Sequence, residues 1–538
     1  MSDSDWARLL CVPVGARRVD ELLSSAARAA KAADIIELRL DYLEESQLKE
    51  INRPSLQPLA ASLARPLIIT LRSIEQGGRC EFTLPRRIEF WQQIFRDKLP
   101  SEVFVDLEFE LLSYIRQREE ELYAALNQNQ IICSHHHFGG SQVDLNQLYE
   151  RMKSITARVL KIAVQVDDAD ECVSLFQLLK RARGEEREMI AVGMGEAGFL
   201  TRILAPARGS FLTYAALDAQ HTTAPGQIAA HELRDLYRFH AIKDETAITG
   251  LVGSPVAHSV SPQMHNRAFA AKGIDAVYIP FEVRALDKFL TRMAHPRTRE
   301  IDWNLRGFSV TAPHKTKIIE YLDWIEPAAR EAGAINTVVV EDGALYGYNT
   351  DAQAALAPLR GIVELSNCRV AVIGAGGAAR ALSRELKNSG ARVTVFARNA
   401  ERAAKLAEEF DSPYAPLEGA CYKNFDVVIN ATTLGTRGTS GANETPATVE
   451  QLQGARIAYD LVYNPPQTIF LRAAAQAGCQ TVGGLAMLVG QAIEQFKLWT
   501  GEDAPLDVMQ RAAIEALEER ARESIIAERS RTIGCETN

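Results

Sequence analysis

The chain has 538 residues, too many for one hydrophobic core and enough for roughly two to four domains. Its 47% hydrophobic and 24% charged residues fit an ordinary globular protein, and a net charge of −9 gives no basic surplus for nucleic acid or an anionic membrane. The leading MSDSDWARLL lacks signal-peptide order, no apolar run could span a bilayer, and eight scattered cysteines without a CxxC pair read as reduced thiols in a cytoplasmic protein.

The first half alternates β-branched runs with amphipathic stretches. Candidate strands are Leu9–Val12, Ile35–Leu40, Leu67–Leu71, Val103–Leu107, Ile131–Ser134, Val159–Val164, Met189–Val192 and Ser210–Tyr214. Helical patterns such as Val19–Ala32, Arg86–Lys98 and Ala169–Ala182 separate most of them. Eight such units in roughly 240 residues predict a (β/α)8 barrel, closed by a charged helix over Ala229–Lys243. Barrel chemistry collects where strands end, and polar side chains recur there: Glu37 and Arg39, Arg72, Glu108, His135–His137 after the fifth strand, and Lys161 on the sixth.

Lys161 interrupts the apolar strand Val159–Val164. Desolvated in a barrel mouth, such an amine loses its charge more easily and can attack a ketone; at a strand end it can instead snorkel to water. A histidine of Ser134-His-His-His-Phe138 could move protons beside it. Three consecutive histidines also suggest a metal, but alternate side chains of an extended segment diverge and no partner has ligand spacing, so no metal is expected. Arg39, Arg72 and Arg202 offer forks for a carboxylate, or structural ion pairs.

On these residues the first half resembles the type I 3-dehydroquinate dehydratases. The matches are Glu37-Leu-Arg-Leu-Asp41, Thr70-Leu-Arg72 ahead of Gly77-Gly78, Val105-Asp-Leu-Glu108, Ser134–Phe138, Lys161-Ile-Ala163, Thr201-Arg202 and Ala224-Pro-Gly-Gln227. The resemblance implies a Schiff base on Lys161, with His136 moving protons. It also implies a substrate cradle of Glu37, Arg39, Arg72, Arg202, Thr223 and Gln227. Three positions depart from the family: Gln76 stands where an acid usually precedes the glycine pair, His137 follows the catalytic histidine, and Thr223 replaces a serine. Since the family acid orients the histidine, an active dehydratase with a shifted pH profile is expected.

A short linker, Asp244–Ala247, leads to a strand at Ile248–Gly253 and mixed elements to about Ala357. Next comes a strand, glycine turn and helix over Arg369–Ser389. Gly374 permits the turn, Gly376 lets a pyrophosphate approach, and the helix N-terminus faces that charge. The strand Arg392–Phe396 ends without the acid that grips an unmodified ribose. It offers Arg398 and Arg402, which suit the 2′-phosphate of NADP, a reading that outweighs a merely solvated loop arginine at Arg398. Ser259 and Ser261 open a helix, where capping would explain either hydroxyl. Lys315 and Asp351 could relay the proton that accompanies hydride transfer, and alone each reads as a surface charge.

With Ser309-Val-Thr-Ala-Pro-His-Lys315, Gly333-Ala-Ile-Asn336, Asn349-Thr-Asp351, Asp460-Leu-Val-Tyr463 and Gly484–Gln491, residues 247 to about 500 look like shikimate dehydrogenase. The resemblance implies a catalytic pair of Lys315 and Asp351, and substrate contacts from Ser259, Ser261, Thr311, Asn336, Tyr463 and Gln491. It places NADP on Gly374, Ala375, Gly376, Gly377, Ala378, Arg398, Arg402, Thr432, Gly484 and Met487. Ser309 replaces a common asparagine, which is expected to loosen the site slightly.

The expected architecture is therefore a barrel over 1–243, a substrate-binding domain over 247–357, a Rossmann domain over 358–502 and a charged helix with a polar tail over 503–538. The order is that of known bifunctional enzymes in which the product of the first activity, 3-dehydroshikimate, feeds the second. A catabolic quinate-oxidising pair and a non-catalytic sensor are the alternatives. Small molecules are the expected partners, with no nucleic acid or membrane.

Overall fold

The computed structural model describes residues 8–48, 51, 58–59, 61–79, 81–96, 98–139, 143–218, 220–224, 226–437 and 439–535, with side chains only to 522 in the last segment. Most of the N-terminal decapeptide and the last three residues of the polar tail lie outside the described residues. Two compact units emerge: residues 1–247, 254–257 and 279–304 in one, 248–253, 258–278 and 305–538 in the other.

The first unit is built on eight parallel strands. These are β1 (Leu9–Val14), β2 (Ile35–Arg39), β3 (Leu67–Thr70), β4 (Val103–Glu108), β5 (Ile131–His137), β6 (Val159–Gln165), β7 (Met189–Met194) and β8 (Leu212–Tyr214). They follow the order β7-β6-β5-β4-β3-β2-β1-β8, and a bridge between Met189 and Ser210 brings the two ends together. Strands in such a barrel are buried on both faces, which is why they read as near-continuous apolar runs. His135–His137 belong to β5 itself rather than following it, because β5 continues in register with β6 as far as His137 opposite Val164.

The expected helix over Ala229–Lys243 is not continuous. A π-helical turn at Glu232–Leu236 and a 3-10 turn at Phe239–Ala241 replace it, separated by Arg238 at φ 49°, a left-handed conformation that an α-helix cannot pass through.

Two further sheets follow along the chain, one mixed and one parallel. The mixed sheet takes β9 (Ala247–Gly253), β10 (Ala276–Glu282), β11 (Leu305–Val310), β12 (Trp324–Ile325), β13 (Thr337–Glu341) and β14 (Ala344–Tyr348) in the order β10-β9-β11-β13-β14-β12. The parallel sheet takes β15 (Arg369–Ile373), β16 (Arg392–Ala397), β17 (Tyr414–Pro416), β18 (Val427–Asn430), β19 (Ile457–Asp460) and β20 (Gln480–Val482) in the order β17-β16-β15-β18-β19-β20. Strand order reverses beside β15, the switch point at which doubly wound folds bind nucleotides. Alternation along β15 splits its side chains between two cores: Val370 and Val372 join one, Ala371 and Ile373 the other. Among the described residues no helix is long and apolar enough to cross a membrane.

Close packing fixes one site element. A Cβ on Gly198 would lie 2.2 Å from the backbone of Gly193, so only glycine lets the helix Phe199–Leu204, which carries Arg202, approach β7. Gly198→Ala is expected to cost about 1–3 kcal/mol in denaturant unfolding, through the shift it forces on the helix that carries Arg202.

Candidate active sites

Alternation places the barrel's polar side chains on one inner surface. Glu37 and Arg39, His136, and Lys161 and Ala163 line a cavity of about 90 Å³ together with Arg72, Gln76, Arg202, Thr223 and Gln227. Lys161, only 4% exposed, is buried by its strand rather than snorkelling. Its Nζ lies 2.9 Å from Asp106 and over the Tyr214 ring, 4.3 Å from the centroid. Asp106 also pairs with Arg72 at 2.7 Å and accepts from the Ser134 hydroxyl at 2.5 Å. Burial alone would raise the Asp106 carboxyl, but Arg72 and Lys161 hold it well below the usual carboxylate range.

His136 enters the same cavity while its neighbour His135 turns to Glu110, with Nδ1 2.8 Å from the carboxylate. His135 and His136 thus diverge as extended backbone requires. Burial first, then the cations Arg72 and Lys161, hold the His136 imidazole well below its ordinary range, so it is neutral near pH 7. Its Nδ1 is buried without a hydrogen-bond partner. Gln76 does not touch that ring atom: its Oε1 accepts the His136 backbone N–H at 2.7 Å, pinning the strand end instead. Glu37 accepts from Thr70 at 2.6 Å, Arg39 is paired with Asp41 at 2.8 Å, and Gln227 accepts the Thr223 N–H at 2.7 Å. Burial lowers the Arg202 guanidinium to about 10, a cost that an incoming carboxylate would relieve.

In the second unit Lys315 Nζ lies 2.5 Å from Asp351, at the start of a helix over Asp351–Arg360. Next to this pair Asn336 donates to Thr350 at 2.9 Å and to Gln491 at 3.4 Å. Gln491 Oε1 also accepts from Gln495 at 2.8 Å. Ser309 is not a loosened position: its hydroxyl meets Tyr278 and Gln495 at 2.9 Å each. Thr311 lies just past β11, its N–H bonded to Val252, and Ser259 meets Ser261 at 3.1 Å. Tyr463 follows β19, partly buried, with burial raising its phenol.

A third cavity, of about 190 Å³, opens at the end of β15. Gly374, Ala375, Gly376, Arg398, Arg402 and Thr432 line it. Gly374 has φ 127°, and a Cβ there would come within 2.9 Å of the Ala431 carbonyl, so glycine is needed on both counts. Gly377 and Ala378 begin the helix Gly377–Asn388 behind the turn, with nothing within 4 Å of a Cβ on Gly376 or Gly377. Asn399 caps the helix Ala400–Glu409, its side chain accepting the Arg402 N–H at 2.9 Å, so two helix N-termini face this region. Gly484 and Met487 do not line the cavity: a Cβ on Gly484 would strike the Leu461 carbonyl, and Met487 packs against the adjoining core.

Family models match along the chain: type I 3-dehydroquinase over residues 10–244, the shikimate dehydrogenase substrate-binding domain over 251–338, shikimate/quinate 5-dehydrogenase over 357–444, and the shikimate 5′-dehydrogenase C-terminal domain over 484–514. A chloroplastic bifunctional 3-dehydroquinate dehydratase/shikimate dehydrogenase of Arabidopsis thaliana is 31% identical across 93% of this chain and 83% of that protein. The chain belongs to the bifunctional 3-dehydroquinate dehydratase/shikimate dehydrogenase family. Single-activity relatives match the second half: shikimate dehydrogenases (NADP(+)) of Methanosarcina acetivorans, 40% identical over 50% of this chain and 99% of that protein, and of Methanothermobacter thermautotrophicus, 37% identical over 50% and 97%.

Within this bifunctional dehydratase/dehydrogenase scaffold, sequence reasoning missed Asp106, Tyr214 and Gln495. Asp106 lies inside a quoted motif and shares a face with Glu108, so alternation could have flagged it, and Tyr214 ends a predicted strand on the face of Leu212. Gln495 lies four residues beyond Gln491, one helical turn further on the same face. Gln76→Glu would bring a negative charge towards His136 and favour the protonated imidazole. The acid limb of the dehydratase kcat/KM profile is then expected to move to higher pH, and an unmoved limb would refute the electrostatic coupling.

Proposed function

We propose that this chain dehydrates 3-dehydroquinate to 3-dehydroshikimate in the barrel and reduces that product to shikimate with NADPH in the second half. The observation that carries the reading is a buried lysine sharing one cavity with a neutral histidine, inside a family with both activities. Lys161 attacks the ketone and, with loss of water, forms an iminium that draws electrons from the adjacent carbon. Asp106, kept ionised by its cations, is a weak proton acceptor, so His136 takes the carbon-bound proton and returns one to the departing hydroxyl. Hydrolysis then frees the lysine. Arg202, Arg72, Arg39, Glu37, Thr223 and Gln227 orient the carboxylate and ring hydroxyls.

In the second half NADPH supplies a hydride when bound. Lys315 hands a proton to the carbonyl oxygen, Asp351 steadies the amine, and Asn336, Thr311, Gln491, Tyr463 and the serines hold the substrate. The bare glycine backbone and the helix N-terminus fit a pyrophosphate, while Arg398 and Arg402 fit a 2′-phosphate. Functional boundaries follow the expected segments 1–243, 247–357, 358–502 and 503–538, and the described cysteines, all unbridged, suit a cytoplasmic setting.

Lys161→Ala is expected to abolish borohydride trapping and dehydration at least about a thousandfold, while shikimate oxidation persists; loss of both activities in a folded protein would refute independent sites. Arg398→Ala should raise the KM for NADP about tenfold and leave that for NAD within about twofold, as steady-state kinetics with each cofactor will show.

A further inference from the structure

The C-terminal helix Leu506–Cys535 reads from sequence as a charged tail, but its first turns are docked. Met509, Ala512, Ala513, Ala516 and Leu517 are buried at helical spacing, and the helix packs along Ser261–Lys272, reinforced by an ion pair between Arg267 and Glu515. Arg520 continues this stripe, three and four residues beyond Leu517 and Ala516, and so emerges at the open end of the packed face. There its guanidinium donates to the backbone carbonyls of His258 and Ser259, the latter at 2.9 Å. These carbonyls belong to the loop that presents Ser259 and Ser261. Arg520 is also the charged group felt by Tyr463, where it opposes the rise that burial imposes on the phenol.

The substrates of the dehydrogenase reading are carboxylates. Lys315 is paired with Asp351 and so adds no net charge, and the serines and tyrosine are neutral. Holding an anion against neutral groups alone is costly. The positive end of the site is the start of the helix Ser261–Lys272, with Arg520 behind the loop that leads into it.

Resting on that reading, we propose that Arg520 is a positioning residue for the dehydrogenase. It clamps the serine loop through two backbone carbonyls and balances the charge of the substrate carboxylate that the loop receives. The C-terminal helix is thereby part of acid recognition. Its ligand class is a cyclic hydroxy acid, as opposed to the corresponding neutral polyol or ester.

The test uses the full-length protein with saturating NADP, and shikimate and its methyl ester as paired substrates. Arg520→Gln is expected to raise the KM for shikimate about tenfold, with kcat within about twofold and the ester's KM raised only about threefold, by loss of the clamp alone. Arg520→Lys should recover most of the loss. Dehydratase activity and the melting curve report whether the variants fold. An unchanged shikimate KM in Arg520→Gln, or equal losses for acid and ester, would overturn the proposal. Wild-type protein that oxidises neither substrate would instead sink the parent dehydrogenase reading, and this inference with it.

Discussion

The barrel site depends on one buried carboxylate. Asp106 is enclosed by its strand, and a carboxylate so placed persists only if cations accompany it. Arg72 and Lys161 do so, and the Ser134 hydroxyl adds a hydrogen bond. The carboxylate locates two cations at one end of the barrel, and burial first, then their field, keeps His136 uncharged. Amine and imidazole thus share one cavity, with the amine held by that carboxylate. The second half solves its proton-transfer problem differently, with a lysine–aspartate pair that is more exposed and held by a helix start.

Much of this was legible because strand periodicity is short. In a two-residue repeat, Glu37 and Arg39 or Lys161 and Ala163 must share a face, and apolar runs announce which strands are fully buried. Lys161 stood out because it broke such a run. Asp106 broke one too, yet an acid amid apolar residues looks equally like a structural partner until its cations can be located in space. Glycine turns were legible for the same local reason, since Gly374 and Gly376 are demanded by backbone shape.

What stayed hidden was long-range or conformational. Nothing in the composition of Ala229–Lys243 reveals that Arg238 turns left-handed and breaks the helix. The bond from Gln76 to a backbone N–H, instead of to the imidazole, spans sixty positions and depends on loop geometry. Arg520 lies in a segment that the sequence marks only as a charged helix.

The short eighth strand has a mechanical corollary. β8 has three residues, and among the described residues its seam with β7 rests on a single bridge between Met189 and Ser210. A cylinder stitched this thinly along one side breathes there first, so amide exchange across Ser210–Leu212 should be the fastest in its wall. Tyr214 and Arg202 flank that seam, which makes the weakest stave of the barrel also the one bordering the ring that lies beneath the reactive amine.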